Sequence, residues 1–324
     1  MSSGVVVWNP PVDLGRLDSL VQRWESDGLT VERGRSLGAM TTFGIGGPAG
    51  AFVTVEDRSE LLRFVGAFDG DDATAVPVMV IGKGSNLLVA DAGFPGAVLK
   101  LGTGFRHISR DGLMVTAGAS EAMPALADWV AKRGLAGLEF AAGIPATVGG
   151  SVRMNAGAHG SSTAEPLIEI ELVTPGQDVV QTARVDSLGF SYRHSELPQG
   201  AVVISATWLL VQDEPGNIKA RLNELRAYRR ATQPLRERNC GSVFTNPEAD
   251  SAGRLIEAAG LKGHTIGGAT VSLKHANFIT VTTAASADDV LRLIGHIRQV
   301  VAEGGGPLLL PEVRVVGAFA SDHA

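Results

Sequence analysis

Residues 138–160 read LEFAAGIPATVGGSVRMNAGAHG, and the fold turns on this stretch. Gly143, Gly149, Gly150, Gly157 and Gly160 fall inside it, Gly137 stands just ahead, and the only charges are Glu139 and Arg153. Glycine weakens helices and Pro145 removes a backbone donor, so the run does not predict an ordinary helix. It is too polar and too broken to span a bilayer. Bare glycine backbone lets a large flat or phosphorylated ligand lie directly on N–H groups. A loop that serves only tight turns is the competing reading, and the rest of the chain has to choose between them.

On the N-terminal side of the stretch a helix is predicted over 121–133, with Met123, Leu126, Ala127 and Val130 on one face. Around it lie β-rich runs at 98–101, 113–117, 168–173, 179–183 and 202–211, separated by turn residues. These predict an α+β unit, mostly antiparallel. Further upstream, Leu17, Leu20, Val21 and Trp24 recur at helical spacing. A strand at 51–55 precedes a helix opened by an Asp57/Glu60 capping box, and short strands follow at 78–81 and 87–90. Downstream, a boundary is expected near 213–216. Helices follow at 218–230 and 252–259, strands at 271–273 and 278–281, a helix capped by Ser286, and a final strand at 308–316.

Composition narrows the function. A chain of 324 residues predicts two or three domains. The net charge of −6, without a basic tail, argues against a nucleic-acid partner. The single cysteine, Cys240, excludes an internal disulfide and fits a reducing cytoplasm. No basic, apolar leader opens the chain, and no run approaches ~18 apolar residues, so neither signal peptide nor membrane span is expected.

Four segments carry groups able to do chemistry. GKGSN at 82–86 resembles a dinucleotide fingerprint, but its third glycine is missing and a strand, not a helix, follows. The Rossmann mode needs a helix N-terminus at the pyrophosphate and is rejected. Successive free N–H groups with Ser85 and Asn86 can still form an anion nest, and a plain hairpin turn is the alternative. Arg193, in FSYRHS, offers a planar fork for a carboxylate, or is simply a solvated charge. Ser242 follows a glycine but lacks the G-x-S-x-G elbow, so it is a proton donor or a turn serine rather than a hydrolase nucleophile. Cys240 beside Arg238 is read as a packed residue rather than an activated thiol. Glu312 sits inside an apolar run, where desolvation would raise its pKa as a general acid requires, or where it faces solvent. No metal-ligand spacing emerges from the seven histidines.

In this order, TTFGIGG (41–47), GKGSNLL (82–88), GIPATVGGSVRMNAGAHG (143–160), FSYRHS (190–195), NCGSVFTNP (239–247), GGATVSLKHANFI (267–279) and LPEVRVVG (310–317) resemble the motifs of the UDP-N-acetylenolpyruvoylglucosamine reductase (MurB) family. The likeness spans residues 38–318 and matches the family's shorter-loop branch. It implies an α+β fold of three domains, 1–96, 97–214 and 215–324. The first two would form a vanillyl-alcohol-oxidase-type FAD-binding module and the third would close over substrate. The family's catalytic arginine, proton-donating serine and glutamate fall on Arg193, Ser242 and Glu312. Contacts to non-covalent FAD are implied for Gly82, Lys83, Gly84, Ser85, Asn86 and Leu87. They are also implied for Gly143, Ile144, Pro145, Ala146, Thr147, Gly149, Gly150, Ser151, Asn155 and Gly157, with Val203. Substrate contacts are implied for Tyr192, Arg230, Gln233, Asn246, Lys274 and His275.

The implied reaction is NADPH-dependent reduction of the enolpyruvyl ether of UDP-N-acetylglucosamine in peptidoglycan precursor synthesis. It would be carried out by a cytoplasmic monomer without a metal, nucleic-acid or membrane partner. Another FAD-dependent oxidase of sugars or alcohols is the alternative. Four positions depart from the pattern: Lys83, Ala146, His159 and Thr245, the last where lysine often contacts substrate phosphate. Substrate and cofactor are anionic while the protein is acidic, so positive charge must be local. Arg229, Arg230, Arg236, Arg238, Lys262 and Lys274 are the expected source.

Overall fold

The computed structural model describes residues 7–319. Near the N-terminus, Asp13 caps the helix Leu14–Ser26 by accepting from Arg16 N, and Leu17, Leu20, Val21 and Trp24 are buried along one face as their spacing predicts. Trp24 stacks on Phe64 of the helix Arg58–Gly66 at 4.7 Å and donates its indole N–H to the Phe64 carbonyl. Both helices share a core with one face of a four-stranded sheet, ordered Val31–Glu32, Ala49–Val55, Phe94–Leu101, Val78–Val80. The last three strands are parallel and the first is antiparallel. Side chains alternate: Ala51, Val53, Val55 and Leu99 join the helix side, while Phe52, Val98 and Phe94 join a smaller cluster beneath. The Asp57 cap forms with Glu60 N, but the Glu60 carboxylate returns to Glu56 N rather than to Asp57, so the predicted box is only half made.

A second sheet is wholly antiparallel, ordered Gln181–Arg184, Leu167–Val173, Val202–Leu209, Met114–Gly118, Ile108–Asp111. The run expected over 202–211 breaks at Leu210, whose N–H turns to the Leu113 carbonyl, and Val211–Gln212 pairs instead with Leu135–Ala136. The helix expected at 121–133 is Met123–Ala131, with Pro124 in its first turn and Gly134 at φ +69° beyond its end.

The glycine-rich stretch departs further from expectation, because it contains a short helix, Val148–Arg153. Thr147 caps it by accepting from Gly150 N. A Cβ at Gly149 would stand 3.1 Å from Ala119 Cβ. Glycine therefore lets this turn lie against the antiparallel sheet, and tertiary packing outweighs poor intrinsic propensity.

The helix Pro215–Thr232 buries Ile218 and Leu222 in the core shared by the first two sheets. A separate core holds Cys240, Phe244, Ile256 and the buried stripe of Ala287–Glu303, a helix capped by a Ser286/Asp289 box. A three-stranded antiparallel sheet, Thr265–Ile266, Ala269–Val271, Ile279–Val281, accompanies it. The strand expected at 271–273 ends at Val271, because Ser272 Oγ accepts from Lys274 N and turns the chain, leaving Leu273 75% exposed.

The final strand is shorter than predicted. Pro311 makes only an isolated antiparallel bridge to Phe244, and Arg314–Val316 alone is sheet. That strand lies between Val7–Trp8 and Leu87–Val89, parallel to both. The C-terminal segment thus returns to the unit that carries the GKGSN loop.

Candidate active site

The three parallel strands just described border a cleft of about 580 Å³ through Trp8, Leu87, Arg314 and Val316. One wall is the loop Gly82–Asn86. A Cβ on Gly82 would stand 2.5 Å from Thr147 Oγ1, and Gly84, at φ +59°, would meet the Met40 carbonyl at 2.1 Å. Both positions need glycine, the second for its backbone angle as well. Gly143–Thr147 with Gly149, Gly150, Gly157 and Val203 also line the cleft. The glycine-rich stretch therefore meets the GKGSN loop at Gly82 and Thr147, and both line the cleft.

Arg193, Ser242 and Glu312 come from three distant segments and all line this cleft. Arg193 sits at φ +57° in a turn closed by a Ser191–His194 bridge. Asn155, itself at φ +40°, braces that turn by donating to the Ser191 carbonyl at 2.8 Å. Such left-handed side-chain-bearing residues persist where surrounding contacts hold them, as at ligand sites. Arg193 donates through Nη2 to the Gly157 carbonyl at 2.6 Å, and its Nε lies 2.9 Å from Glu312 Oε1. The pair is largely buried, with side chains 20% and 17% exposed. Burial pushes the Glu312 carboxyl above its usual range, and the Arg193 guanidinium opposes this only in part. Ser242 follows Gly241, at φ +83°, whose N–H is held by the Asn239 side chain at 2.9 Å. Neighbouring Val243 accepts from Glu312 N at 2.7 Å, so the serine and glutamate segments are bonded together. Cys240 is buried, and desolvation with the nearby Glu312 charge pushes its thiol up, which leaves it inert at neutral pH.

The chain matches two family models: the C-terminal domain of UDP-N-acetylenolpyruvoylglucosamine reductase over residues 233–316 and an FAD binding domain over 49–183. It is 44% identical to the UDP-N-acetylenolpyruvoylglucosamine reductase of Synechococcus sp. WH7803, covering 88% of this chain and 93% of that one. Against the protein of that name from Halalkalibacterium halodurans it is 41% identical over 87% of this chain and 93% of that relative. This chain belongs to the UDP-N-acetylenolpyruvoylglucosamine reductase family. The crystal structure of MurB from Thermus caldophilus superimposes with a TM-score of 0.77 at 38% identity, covering 90% of this chain and all of that one. The α+β fold follows from that match, and the chain is a MurB-family reductase with an FAD-binding domain.

In this MurB-family chain most expected contacts gather in the cleft: Gly82 to Leu87, Gly143 to Thr147, Gly149, Gly150, Gly157, Val203, Gln233, Asn246 and His275. Five expected residues lie off it: Ser151, Asn155, Tyr192, Arg230 and Lys274. Ser151 is fully buried on the inward side of its helix. Asn155 is buried too, its side chain spent on Ser191 and Ala164. Arg230 offers its carbonyl to Lys274 Nζ at 2.6 Å, which ties these two exposed residues to each other. Tyr192 and Thr245 line a second cavity of about 970 Å³ that shares Arg193, Asn246 and Glu312 with the first.

The expected source of positive charge also needs correction. Lys262 pairs with Glu257 at 2.7 Å, Arg238 packs on Gly44, and Arg230 and Arg236 are exposed. Successive helix residues point about 100° apart, so on Pro215–Thr232 Arg229 can face the cleft while Arg230 cannot. The remaining cleft cations were not singled out by sequence: Arg153, Arg314, Lys100 and Arg106. Burial lowers the pKa of Arg153 to about 10, with Arg314 contributing, and also lowers those of Arg229, Arg314 and Lys100. Arg229 runs so close to Gly143 that a Cβ there would stand 2.4 Å from its Cδ. Half-buried cations facing two glycine-rich walls are a donor set suited to a flat, diphosphate-bearing group, so FAD fits this cleft. Among the described residues no group of three metal-ligating side chains exists, and no helix is long and apolar enough to cross a membrane.

Proposed function

We propose that the chain reduces the enolpyruvyl ether of UDP-N-acetylglucosamine to UDP-N-acetylmuramate, with NADPH as hydride donor and FAD held non-covalently. It does so as a cytoplasmic monomer in peptidoglycan precursor synthesis, with three domains whose expected borders at 96/97 and 214/215 shift, because Phe94–Leu101 lies within the first sheet and Pro215–Thr232 packs on the core of the first two units. The observation that carries this reading is the convergence of Arg193, Ser242 and Glu312 on one cleft lined by glycine loops and cations. FAD, when bound, supplies the relay that takes a hydride from NADPH and delivers it to the terminal carbon of the enolpyruvyl group. Gly82–Leu87 would hold its diphosphate, and Gly143–Thr147 with Gly149, Gly150 and Gly157 would receive the rest.

The protein groups handle the charge that follows. Hydride addition at the terminal carbon moves an electron pair onto the carbon beside the carboxylate and on into its oxygens. Arg193 and protonated Glu312 donate to those oxygens, stabilising the enolate. Ser242 then gives its hydroxyl proton to the adjacent carbon, and solvent restores it. A serine hydroxyl is a weak acid, and it suffices because the acceptor carbon is far more basic and held close. In the free protein Arg193 already engages Glu312 at 2.9 Å, so substrate carboxylate must share or replace that contact.

The test is a stopped-flow experiment on FAD absorbance. NADPH should bleach the wild-type protein and the enolpyruvyl substrate should restore its colour. Ser242→Ala should still bleach, with recovery slowed on the order of 10²-fold or more. Normal recovery would remove Ser242 from the donor role. No substrate-dependent recovery in the wild type would overturn the reaction.

A further inference from the structure

Glu312 is held by its backbone on both sides. Its N–H donates to the Val243 carbonyl at 2.7 Å, next to Ser242. Its own carbonyl accepts from Asn86 Nδ2 at 3.0 Å, across 226 positions of sequence. Asn86 is bonded to the same segment a second time, because its carbonyl accepts from Arg314 N at 3.1 Å. Leu87 then continues the pairing opposite Arg314. The Gly82–Asn86 loop that lines the cleft and the segment that carries Glu312 are therefore one hydrogen-bonded unit.

We infer that Asn86 is a positioning residue for Glu312: its side-chain amide fixes the Glu312 peptide so that the carboxyl is presented to Arg193 in the water-poor wall of the cleft. The inference rests on the proposed role of Glu312 and adds to it a coupling between the phosphate loop and the proton-donating side. Bonds to Val243 on one side and to Asn86 on the other leave the Glu312 backbone little freedom to tilt. Losing the side-chain donor would leave the Glu312 carbonyl seeking water and would let solvent in beside the carboxyl. Better hydration favours the ionised form, so the pKa of Glu312 would fall toward its ordinary range. Anything that orders the 82–86 loop, a bound diphosphate included, would tighten the same clamp.

The test uses Asn86→Ala and Asn86→Asp, the second keeping shape while replacing the donor by an acceptor. In the cofactor-free protein, amide hydrogen exchange over residues 312–316 should speed up several-fold, on the order of fivefold, relative to wild type. The helix 287–303 serves as the internal reference. In the FAD-loaded protein, the pH at which substrate reduction declines should move down in Asn86→Ala, while Asn86→Asp, whose added carboxylate pushes the Glu312 pKa the other way, is read by exchange alone. Unchanged exchange over 312–316, or an Asn86→Ala pH profile superimposable on wild type, overturns the inference. Glu312→Gln separates this from failure of the parent reading. If that variant retains the wild-type profile, Glu312 is not the acid, whereas a lost limb in Glu312→Gln beside an unmoved limb in Asn86→Ala removes Asn86 alone.

Discussion

At Glu312 two influences compete, and their balance sets a pH dependence. Burial favours the neutral acid, the Arg193 ion pair favours the carboxylate, and burial wins. The protonated form that can donate is present below the raised pKa and is lost as pH rises through it. Substrate reduction should therefore fall on the alkaline side of that value. Glu312→Gln should abolish this limb and lower the rate on the order of 10²–10³-fold. Linkage gives a second readout with the same sign: a folded-state pKa above the unfolded one adds stability at low pH that fades as pH rises through the folded value. The stability of wild type relative to Glu312→Gln should decline with pH in that window, measured by denaturant midpoints at a series of pH values.

At this scale the sequence was informative about identity and poor about direction. Arg193, Ser242 and Glu312 stand in recognisable motifs and meet in the cleft. That Arg153, Arg229 and Arg314 supply its buried charge depends on which way each backbone turns. Arg153, for example, lines the cleft because its guanidinium is anchored on the carbonyls of Leu197, Pro198 and Ala201, a contact no local spacing encodes.

Among the elements, helices were legible wherever a cap and an apolar stripe coincide, as at Leu14–Ser26 and Ala287–Glu303. They were illegible where tertiary contact overrides propensity, as in the Val148–Arg153 turn pressed against Ala119. The strand ending at Val316 was overextended in prediction, since hydrophobicity alone does not register that Pro311 bridges to Phe244 on a different segment while only Arg314–Val316 runs beside Leu87–Val89. The helix Ala287–Glu303 has a second, non-local cap. Asp91, from the loop after Leu87–Val89, accepts from Ala287 N at 3.0 and 2.9 Å and fastens the separate core around Ala287–Glu303 to the first unit. Asp91→Ala should cost about 1 kcal/mol, read as a lower urea midpoint with an unchanged m-value. No shift would mean that Ser286 alone suffices for this helix end.

Over the molecule as a whole, an acidic surface surrounds a cationic cleft. Net charge is −6 while Lys100, Arg106, Arg153, Arg229 and Arg314 line the interior of the site. Anionic ligands are attracted locally and repelled at longer range, and salt weakens both effects for the exposed charges. The affinity of the cofactor-free protein for FAD should fall several-fold between about 0.05 M and about 0.5 M NaCl, by fluorescence quenching. Arg153→Gln should flatten that dependence. Local pattern could reveal the two sheets and the separate core around Ala287–Glu303, but not the pairing of Arg314–Val316 with Leu87–Val89, because register between distant parallel strands leaves no local trace.

That pairing has a consequence for how the protein is made. The middle strand of the three-stranded parallel sheet is the latest of the three to leave the ribosome, so Val7–Trp8 and Leu87–Val89 both emerge before the neighbour they need. Asn86 waits for a partner encoded 226 codons later, on the order of ten seconds or more at typical synthesis rates. For that interval an apolar strand edge stands open to the cell, a liability that chaperones or early cofactor capture would have to cover.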